Sequence, residues 1–237
     1  MNETELTSRL IYRDGLMLVL DKPAGLPVHP GPKGGKTLAD YLDLLQFGLP
    51  AKPQIAHRLD KDTSGCLILG RHAKALARLG MLFKENHIAK TYIAVVEGGP
   101  ETESGEITFP LARRSPERGW WMKADPSGQP AQTFWQVLGR KQGFTTLELK
   151  PQTGRTHQLR VHCAESGWPI VGDTIYGNEE RFSGRRLHLH SYSAVIPLYP
   201  KKDPVTVTAP LPEDMQDLAV LPSDFLVSPA SFMDKSR

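Results

Sequence analysis

The chain has 237 residues, of which 39% are hydrophobic and 23% charged, and its formal net charge is +3. This composition is ordinary for a soluble globular protein, and the length suffices for one large domain or two small lobes. No apolar run approaches the roughly 20 residues of a membrane-spanning helix, and two cysteines exclude a disulfide framework. Residues 1–5 are polar and acidic, unlike a secretory signal, so a cytoplasmic location is expected.

The first third of the chain predicts two short strands and two helices. A strand over 16–20 leads into a Pro- and Gly-rich turn. Thr37 is a predicted helix N-cap with Asp40 at the capping-box position. A buried strand over 66–69 is followed by a helix over 73–87, because its leucines recur at helical spacing.

The remainder of the chain is predicted to be richer in strands. They are expected over 91–96, 107–111, 131–138, 144–149, 185–197 and 205–208. In 144–149 apolar and polar residues alternate, which favours an antiparallel sheet with one solvated face. A helix is expected to begin at Thr156 and to end at Gly167, a typical C-cap residue.

The order of these elements predicts the fold class. Strands dominate, helices are interspersed, and neither a regular βαβ alternation nor an internal repeat is present. The predicted class is therefore α+β, with a mostly antiparallel or mixed sheet and flanking helices. We expect residues 10–221 to form one domain of two sub-lobes and the Ser- and Pro-rich residues 222–237 to form a loosely ordered tail.

The segment from His57 to Gly65 places Asp60 directly after Arg58 and Leu59, in a turn that precedes a buried strand, and Asp62, just before Thr63, suits a structural turn cap. A carboxylate fixed at such a turn is well placed for catalysis, which depends on exact positioning. Most loop aspartates instead cap their own backbone in an Asx turn, and this segment by itself favours that structural role.

A cationic and aromatic loop is predicted over 113–123. Four basic residues oppose a single acid and give the loop a net charge of +3, and Trp120 and Trp121 lie within it. The basic residues are Arg113, Arg114, Arg118 and Lys123. Cations that bind phosphates and rings that stack on unpaired bases are typical of nucleic-acid binding. The alternative is a solvated loop with two partly buried tryptophans.

Two further segments carry candidate site residues. Tyr92 enters a predicted strand directly after a helix, and Arg155 precedes the N-terminus of the predicted 156–167 helix. The positive end of the helix dipole and the guanidinium together favour an anion there. That anion would be a phosphate or the carboxylate of Asp60.

Together, these segments resemble the RluA-type family of RNA pseudouridine synthases. The run His57-Arg58-Leu59-Asp60, followed by Thr63-Ser64-Gly65, is similar to the catalytic signature of that family. Further matching segments lie at 22–29, 128–133, 153–162, 169–173 and 187–190. The resemblance covers about residues 10–213 and implies an extended, mostly antiparallel sheet with a central RNA-binding cleft.

The resemblance implies a role for each matching residue. Asp60 is the implied catalytic carboxylate, Arg155 its ion-pair partner, and Tyr92 the ring that packs against uracil. Arg58 is expected to enter the helical stack where the target uridine has flipped out. The other residues expected at the RNA or the base are His57, Arg160, Leu187 and Leu189, and one of the two leucines is expected to line the base pocket.

These residue types suit the implied conversion of uridine into pseudouridine, in which the N1–C1′ bond is cut and the base is rejoined through C5. A carboxylate is charged at neutral pH and acts as a nucleophile without a helper base. A bidentate arginine keeps it oriented, and the Tyr92 hydroxyl can assist proton removal from C5. Attack at C1′, attack at C6 and elimination through a glycal are all compatible with these residues.

Two other functions fit parts of the pattern. A non-catalytic RNA-binding protein would use the same basic cleft, but an acid such as Asp60 would repel the phosphates of its ligand. A hydrolase would combine Asp60 with His57. We therefore favour the RNA-modifying enzyme.

The expected partner is structured RNA, either a ribosomal or a transfer RNA stem-loop. Neither a metal nor another cofactor is expected, because the histidine pairs 157/162 and 188/190 lack a Cys or an acid at ligand spacing. A monomer without a membrane partner is expected. The first matching motif begins near residue 16, so the N-terminal S4-type domain of many relatives is not expected.

Overall fold

The computed structural model describes residues 2–31, 34–115, 121–177, 184–225 and 233–234. The chain forms two compact units. Unit 1 consists of Met1–Lys90, Ser191–Pro210 and Val227–Arg237, and unit 2 of Thr91–His190 and Leu211–Leu226. Among the described residues, no helix has the length and hydropathy that crossing a membrane requires.

Thirteen strands and a few short helices make up the described fold, which is α+β as predicted. In chain order they are α1 (Glu3–Thr7), β1 (Leu10–Arg13), β2 (Met17–Lys22), a 3-10 helix (Leu38–Leu45), β3 (Gln54–Ile55), β4 (Ser64–Gly70), α2 (Ala73–Lys84), β5 (Ala89–Glu97), β6 (Ser104–Ile107), β7 (Leu111–Arg113), β8 (Met122–Ala124), β9 (Thr133–Lys141), β10 (Phe144–Pro151), α3 (Gln158–Glu165), β11 (Leu189–Ile196), β12 (Val205–Thr208), α4 (Glu213–Gln216), a 3-10 turn (Ser223–Phe225) and β13 (Met233–Asp234).

Unit 1 is built on strand β2, which pairs antiparallel with both β1 and β4. Helix α2 begins at its N-cap His72, whose Nδ1 accepts the Ala75 N–H at 3.3 Å. Its buried Leu79 and Leu82 belong to the same apolar cluster as Val19 and Ile68 of the strands. The burial of this helix face against the strands supplies the core of unit 1.

Unit 2 is built on strand β10, which pairs antiparallel with β5 and β9, and β9 pairs in turn with β6. Leu159 and Cys163 of α3 belong to the same buried cluster as Leu147 and Leu149 of β10. Strands β7 and β8 form a separate two-stranded hairpin. The loop that precedes α3 carries Arg155, whereas the other candidate residues of this unit lie on β5, on α3 and at or near the start of β11.

Most predicted elements are confirmed, but several predictions are wrong in detail. The strand expected over 107–111 is divided between β6 and β7, since Pro110 lacks the N–H that a ladder needs. Strand β10 has no solvated face: Leu147 packs in the α3 cluster, and on the other face Thr146 Oγ1 accepts the Val220 N–H at 2.8 Å. Helix α3 begins later than expected, because His157 adopts a left-handed conformation with φ +52°.

The helix predicted from Thr37 is a 3-10 helix rather than an α-helix, and its capping box with Asp40 is present. In the expected tail, the structure describes a 3-10 turn and β13, which pairs parallel with β1. The other residues from 226 onward lie outside the described part of the chain. The loosely ordered tail therefore stays a prediction.

Candidate active site

Asp60 lies in a turn of unit 1 that its own backbone closes. The Thr63 N–H donates to the Asp60 carbonyl at 3.2 Å. Burial alternates along the approach to this turn, because Leu59 is buried, Arg58 is exposed and Asp60 is half-buried. Leu59 thus anchors an extended segment that presents Arg58 to solvent.

The buried side chain of Lys22 holds the Asp60 turn in place through its ammonium group. The Lys22 ammonium, on a residue that is only 1% exposed, donates to three backbone carbonyls. They are those of Pro23 at 2.8 Å, Leu26 at 2.9 Å and Lys61 at 3.0 Å. The Gly25 N–H also donates to the Lys61 carbonyl at 2.9 Å. Residues 22–26 are therefore tied to the residue that directly follows Asp60.

Gly65 ends the Asp60 segment and cannot be replaced without strain. Its φ of +104° disfavours every residue with a Cβ, and an added Cβ would overlap the Ser191 carbonyl. The backbones of Gly65 and Ser191 approach each other closely here, where β4 begins. The Thr63-Ser64-Gly65 part of the motif thus has a steric cause.

His57 holds the other end of the segment. Its Nε2 accepts the Ile68 N–H at 3.0 Å, and its ring packs 4.4 Å from the Phe83 ring, centroid to centroid. Burial, together with the charge of Lys90, lowers the pKa of His57 to about 3. A neutral imidazole with an occupied Nε2 is a poor general base, which argues against a hydrolase that uses His57. The expected contact of His57 with RNA stays a prediction.

Tyr92 and the two candidate leucines lie in unit 2. Tyr92 is on β5, opposite Leu149 of β10, and packs against the buried cluster of this unit. Leu187 and Leu189 are both 3% exposed and belong to that cluster. Burial therefore does not separate one leucine from the other, and the pocket-lining role stays a prediction for both.

Arg155 lies in the loop that leads into α3. Its Nε donates to the Pro130 carbonyl at 3.0 Å, and its backbone N–H donates to Gln158 Oε1 at 3.0 Å. Both the start and the end of this side chain are thus held. Its expected pairing with Asp60 stays a prediction.

Arg160 is 4% exposed and forms a bidentate ion pair with Asp173, with Nε–Oδ2 and NH2–Oδ1 distances of 2.7 Å. Burial would raise the pKa of Asp173, but the hydrogen bonds and charge of Arg160 bring it below its usual range. The Asp173 carboxylate also accepts the N–H groups of Ile175 and Tyr176 at 3.0 Å. This pair orders the 173–176 turn, and the expected RNA contact of Arg160 stays a prediction.

The cationic loop is described only in part, because residues 116–120, with Arg118 and Trp120, lie outside the described residues. Arg113 and Lys123 are exposed on the β7–β8 hairpin, and Trp121 is half-buried. The Met122 N–H donates to the Tyr176 hydroxyl at 2.8 Å, which fixes the hairpin to the turn that Asp173 orders. The hairpin that carries the exposed Arg113 is thus held in place at Met122.

Comparison with known proteins identifies the fold and its chemistry. A family model described as RNA pseudouridylate synthase matches residues 16–165. The chain belongs to this family. The pseudouridine synthase is 44% identical over 215 residues to an uncharacterized RNA pseudouridine synthase of Zymomonas mobilis, covering 90% of this chain and 98% of that protein.

Two other relatives of the pseudouridine synthase agree with this assignment. The ribosomal large subunit pseudouridine synthase D of Xanthomonas campestris is 34% identical, with 90% of this chain and 69% of that protein covered. The solved structure of human RNA pseudouridylate synthase domain containing 1 has a TM-score of 0.77 and 27% identity, and covers 98% of each chain. The resemblance drawn from the motifs is confirmed: the chain is an RNA-modifying isomerase.

Two residues that hold candidate site residues in place are not predicted from the sequence, namely Lys22 and Gln158. Lys22 belongs to a matching motif, but a lysine at the end of an apolar strand is ordinarily exposed, so the sequence gives no signal for its burial. Gln158 has local partners in Thr153 and Arg155, but the burial of its amide and its bonds to Gln132 and Thr133, 26 and 25 residues away, are not visible in the sequence. Across the described residues, no group of His, Cys, Asp and Glu is arranged to hold a metal ion.

Replacement of Lys22 is expected to loosen the turn that carries Asp60. Lys22→Met keeps the aliphatic stem and leaves three backbone carbonyls without their ammonium donor, so we expect a loss of about 2–4 kcal/mol in the free energy of unfolding. Lys52→Met is the matched control, since Lys52 is exposed and pairs with the exposed Asp43, and it should change the same quantity by less than about 0.5 kcal/mol. Urea unfolding measures both, and equal stabilities of the two variants would contradict the role of Lys22.

Acidification tests the state of His57. The folded protein lowers the pKa from 6.5 to about 3, so the unfolded chain takes up the proton first as the pH falls. The stability that His57 contributes is therefore complete above about pH 6.5 and is lost progressively between pH 6.5 and 3. Across that window wild type should lose more unfolding free energy than His57→Gln, which keeps an acceptor but does not titrate. Parallel curves for the two proteins in urea titrations at pH 7, 6 and 5 would refute the lowered pKa of His57.

Proposed function

We propose that this pseudouridine synthase isomerises a uridine of ribosomal RNA and that Asp60 is its nucleophile. The observation that carries the proposal is the construction of the Asp60 turn, which Lys22, Gly65 and His57 hold from three sides. Contacts from three residues around one acid favour a catalytic role over an Asx turn. An aspartate that only caps its own backbone does not need buried residues to hold its turn in place.

In the proposed reaction, Asp60 attacks the flipped-out uridine and the N1–C1′ bond breaks. The freed uracil turns so that C5 faces C1′, and a C5–C1′ bond forms as the carboxylate leaves. The proton lost from C5 balances the proton gained at N1, so no net proton, electron or water is consumed. The reaction is an isomerisation and needs no external reactant.

Two residues of unit 2 complete the proposed chemistry. Arg155 would pair with the Asp60 carboxylate and orient it through two parallel N–H groups of its planar guanidinium. Tyr92 packs on uracil and takes part in removing the C5 proton. The firm support of Arg155 at its backbone and at Nε agrees with a positioning task.

The proposed RNA contacts rest on exposure and charge. Arg58 is exposed beside Asp60 and would occupy the space that the flipped base vacates. The exposed Arg113 and Arg114 would bind phosphates, whereas the Lys123 ammonium is paired with Asp125 at 2.7 Å. A relative named for the large ribosomal subunit favours ribosomal over transfer RNA as the substrate class.

Pseudouridine mapping of total RNA tests both the nucleophile and the substrate. A strain without the gene should lose one or more pseudouridines of ribosomal RNA. Wild type and Asp62→Asn should restore them, whereas Asp60→Asn should not, because an amide is a far weaker nucleophile. Asp62 is the matched control, since it is an exposed acid in the same turn. Restoration by Asp60→Asn would disprove the nucleophile, and loss confined to transfer RNA would disprove the substrate class.

Arg155→Lys tests the proposed ion pair. Lysine keeps the charge but not the planar fork, so we expect single-turnover pseudouridine formation to fall about 10-fold or more while RNA affinity stays near that of wild type. Lys150→Arg, at an exposed position of β10, controls for exchanges of the two basic residues and should leave the rate unchanged. A near-normal rate in Arg155→Lys would show that a point charge suffices and that no bidentate pair is formed.

A further inference from the structure

We infer that Gln158 is a positioning residue that fixes Arg155 for the isomerisation. The inference rests on the proposed role of Arg155 and concerns a residue that does not reach the substrate. Gln158 is the first residue of α3 and is 4% exposed. A buried amide is retained at a cost unless its polar atoms are satisfied, so its partners indicate its task.

The amide oxygen of Gln158 binds the loop that carries Arg155. Oε1 accepts the Arg155 backbone N–H at 3.0 Å and the Thr153 hydroxyl at 2.7 Å. Both donors, Thr153 and Arg155, lie in the loop that leads into α3. They fix the Cα of Arg155, from which the long side chain extends.

The amide nitrogen of Gln158 binds the segment that precedes β9. Nε2 donates to the Gln132 carbonyl at 2.9 Å and to the Thr133 hydroxyl at 3.0 Å. The Gln132 N–H in turn donates to Thr153 Oγ1 at 3.0 Å. If the amide O and N were exchanged, the amide NH₂ would face the Arg155 N–H and the amide oxygen would face the Gln132 carbonyl. The neighbours therefore permit only the orientation described above.

The second attachment point of Arg155 belongs to this same segment. Its Nε donates to the carbonyl of Pro130, two residues before Gln132. Gln158 therefore holds both the backbone of Arg155 and the strand entry that contacts the guanidinium. Arginine loses rotamer entropy when its side chain is fixed, and a frame that holds its backbone and its Nε in advance removes that loss from substrate binding.

A buried histidine extends the frame. The Thr133 hydroxyl donates to His162 Nδ1 at 3.0 Å, and His162 Nε2 donates to the Phe109 carbonyl at 3.0 Å. Burial lowers the pKa of His162, which keeps the ring neutral and able to accept from Thr133. The chain of bonds from Arg155 to Phe109 is thus satisfied at every link, and such a network specifies one geometry.

The principal test is a double-mutant cycle of Gln158→Leu with Arg155→Ala, read as the single-turnover rate of pseudouridine formation and as RNA affinity. Gln158→Leu should lower the rate by up to about 100-fold, because small displacements of a catalytic group have effects of that size, with RNA affinity unchanged. The double variant should be no slower than Arg155→Ala, since Gln158 acts through Arg155. Hydrogen exchange at the Arg155 amide should become faster in Gln158→Leu.

A second variant keeps the inference testable if Gln158→Leu does not fold. Gln158→Glu retains the acceptor for Arg155 and Thr153 but turns a carboxylate oxygen toward the Gln132 carbonyl. Protonation restores a donor there, so the rate of this variant relative to wild type should rise as the pH is lowered. Gln216→Glu is the control, because Gln216 is an exposed amide whose Nε2 donates to the Leu211 carbonyl at 2.9 Å, and its relative rate should stay constant.

The outcomes separate this inference from the proposed function. Absence of pseudouridine formation by wild type, or full activity of Arg155→Ala, would overturn the proposed function. With wild type active and Arg155→Ala impaired, multiplicative losses in the double variant would overturn the role of Gln158 alone. A flat relative pH profile of a folded Gln158→Glu would overturn it as well.

Discussion

The hydrogen bonds of the buried Lys22 ammonium are the interaction on which the Asp60 turn of unit 1 depends. An ammonium removed from water is costly unless its protons are bonded, and three backbone carbonyls of two separate loop segments accept them. The same bonds satisfy carbonyls that irregular loops would leave without partners. The loop and the Asp60 turn are therefore stabilised together, and neither keeps its shape without the other.

In unit 2, an amide and an ion pair form the hydrogen bonds that hold the loops in place. Gln158 satisfies the loop that carries Arg155, and the Arg160–Asp173 pair orders the turn that supports the β7–β8 hairpin. All three polar groups are nearly inaccessible to solvent, and each takes part in holding a loop or turn. An RNA-modifying enzyme of this family thus gains rigid loops without extending its helices or its apolar core.

Local features were predictable and long-range ones were not. The capping box of Thr37 with Asp40, the strand after Gly65 and the helix end at Gly167 follow from residues within a few positions of each other. The burial of both faces of β10 was missed, because its second face is covered by residues some 70 positions later, around Val220. The role of Gln158 was missed for the same reason, since its partner Gln132 lies 26 residues away.

The sequence by itself determined the α+β class, the family and the position of the Asp60 turn, because motif order, hydrophobic spacing and turn chemistry are encoded in short segments. Only the tertiary structure decided that Lys22 and Gln158 hold the candidate residues, that Arg160 is paired with Asp173, and that the His57 imidazole is neutral. Hydrogen-bond partners and desolvation are properties of atoms brought together in space, and the spacing of residues along a chain does not specify them.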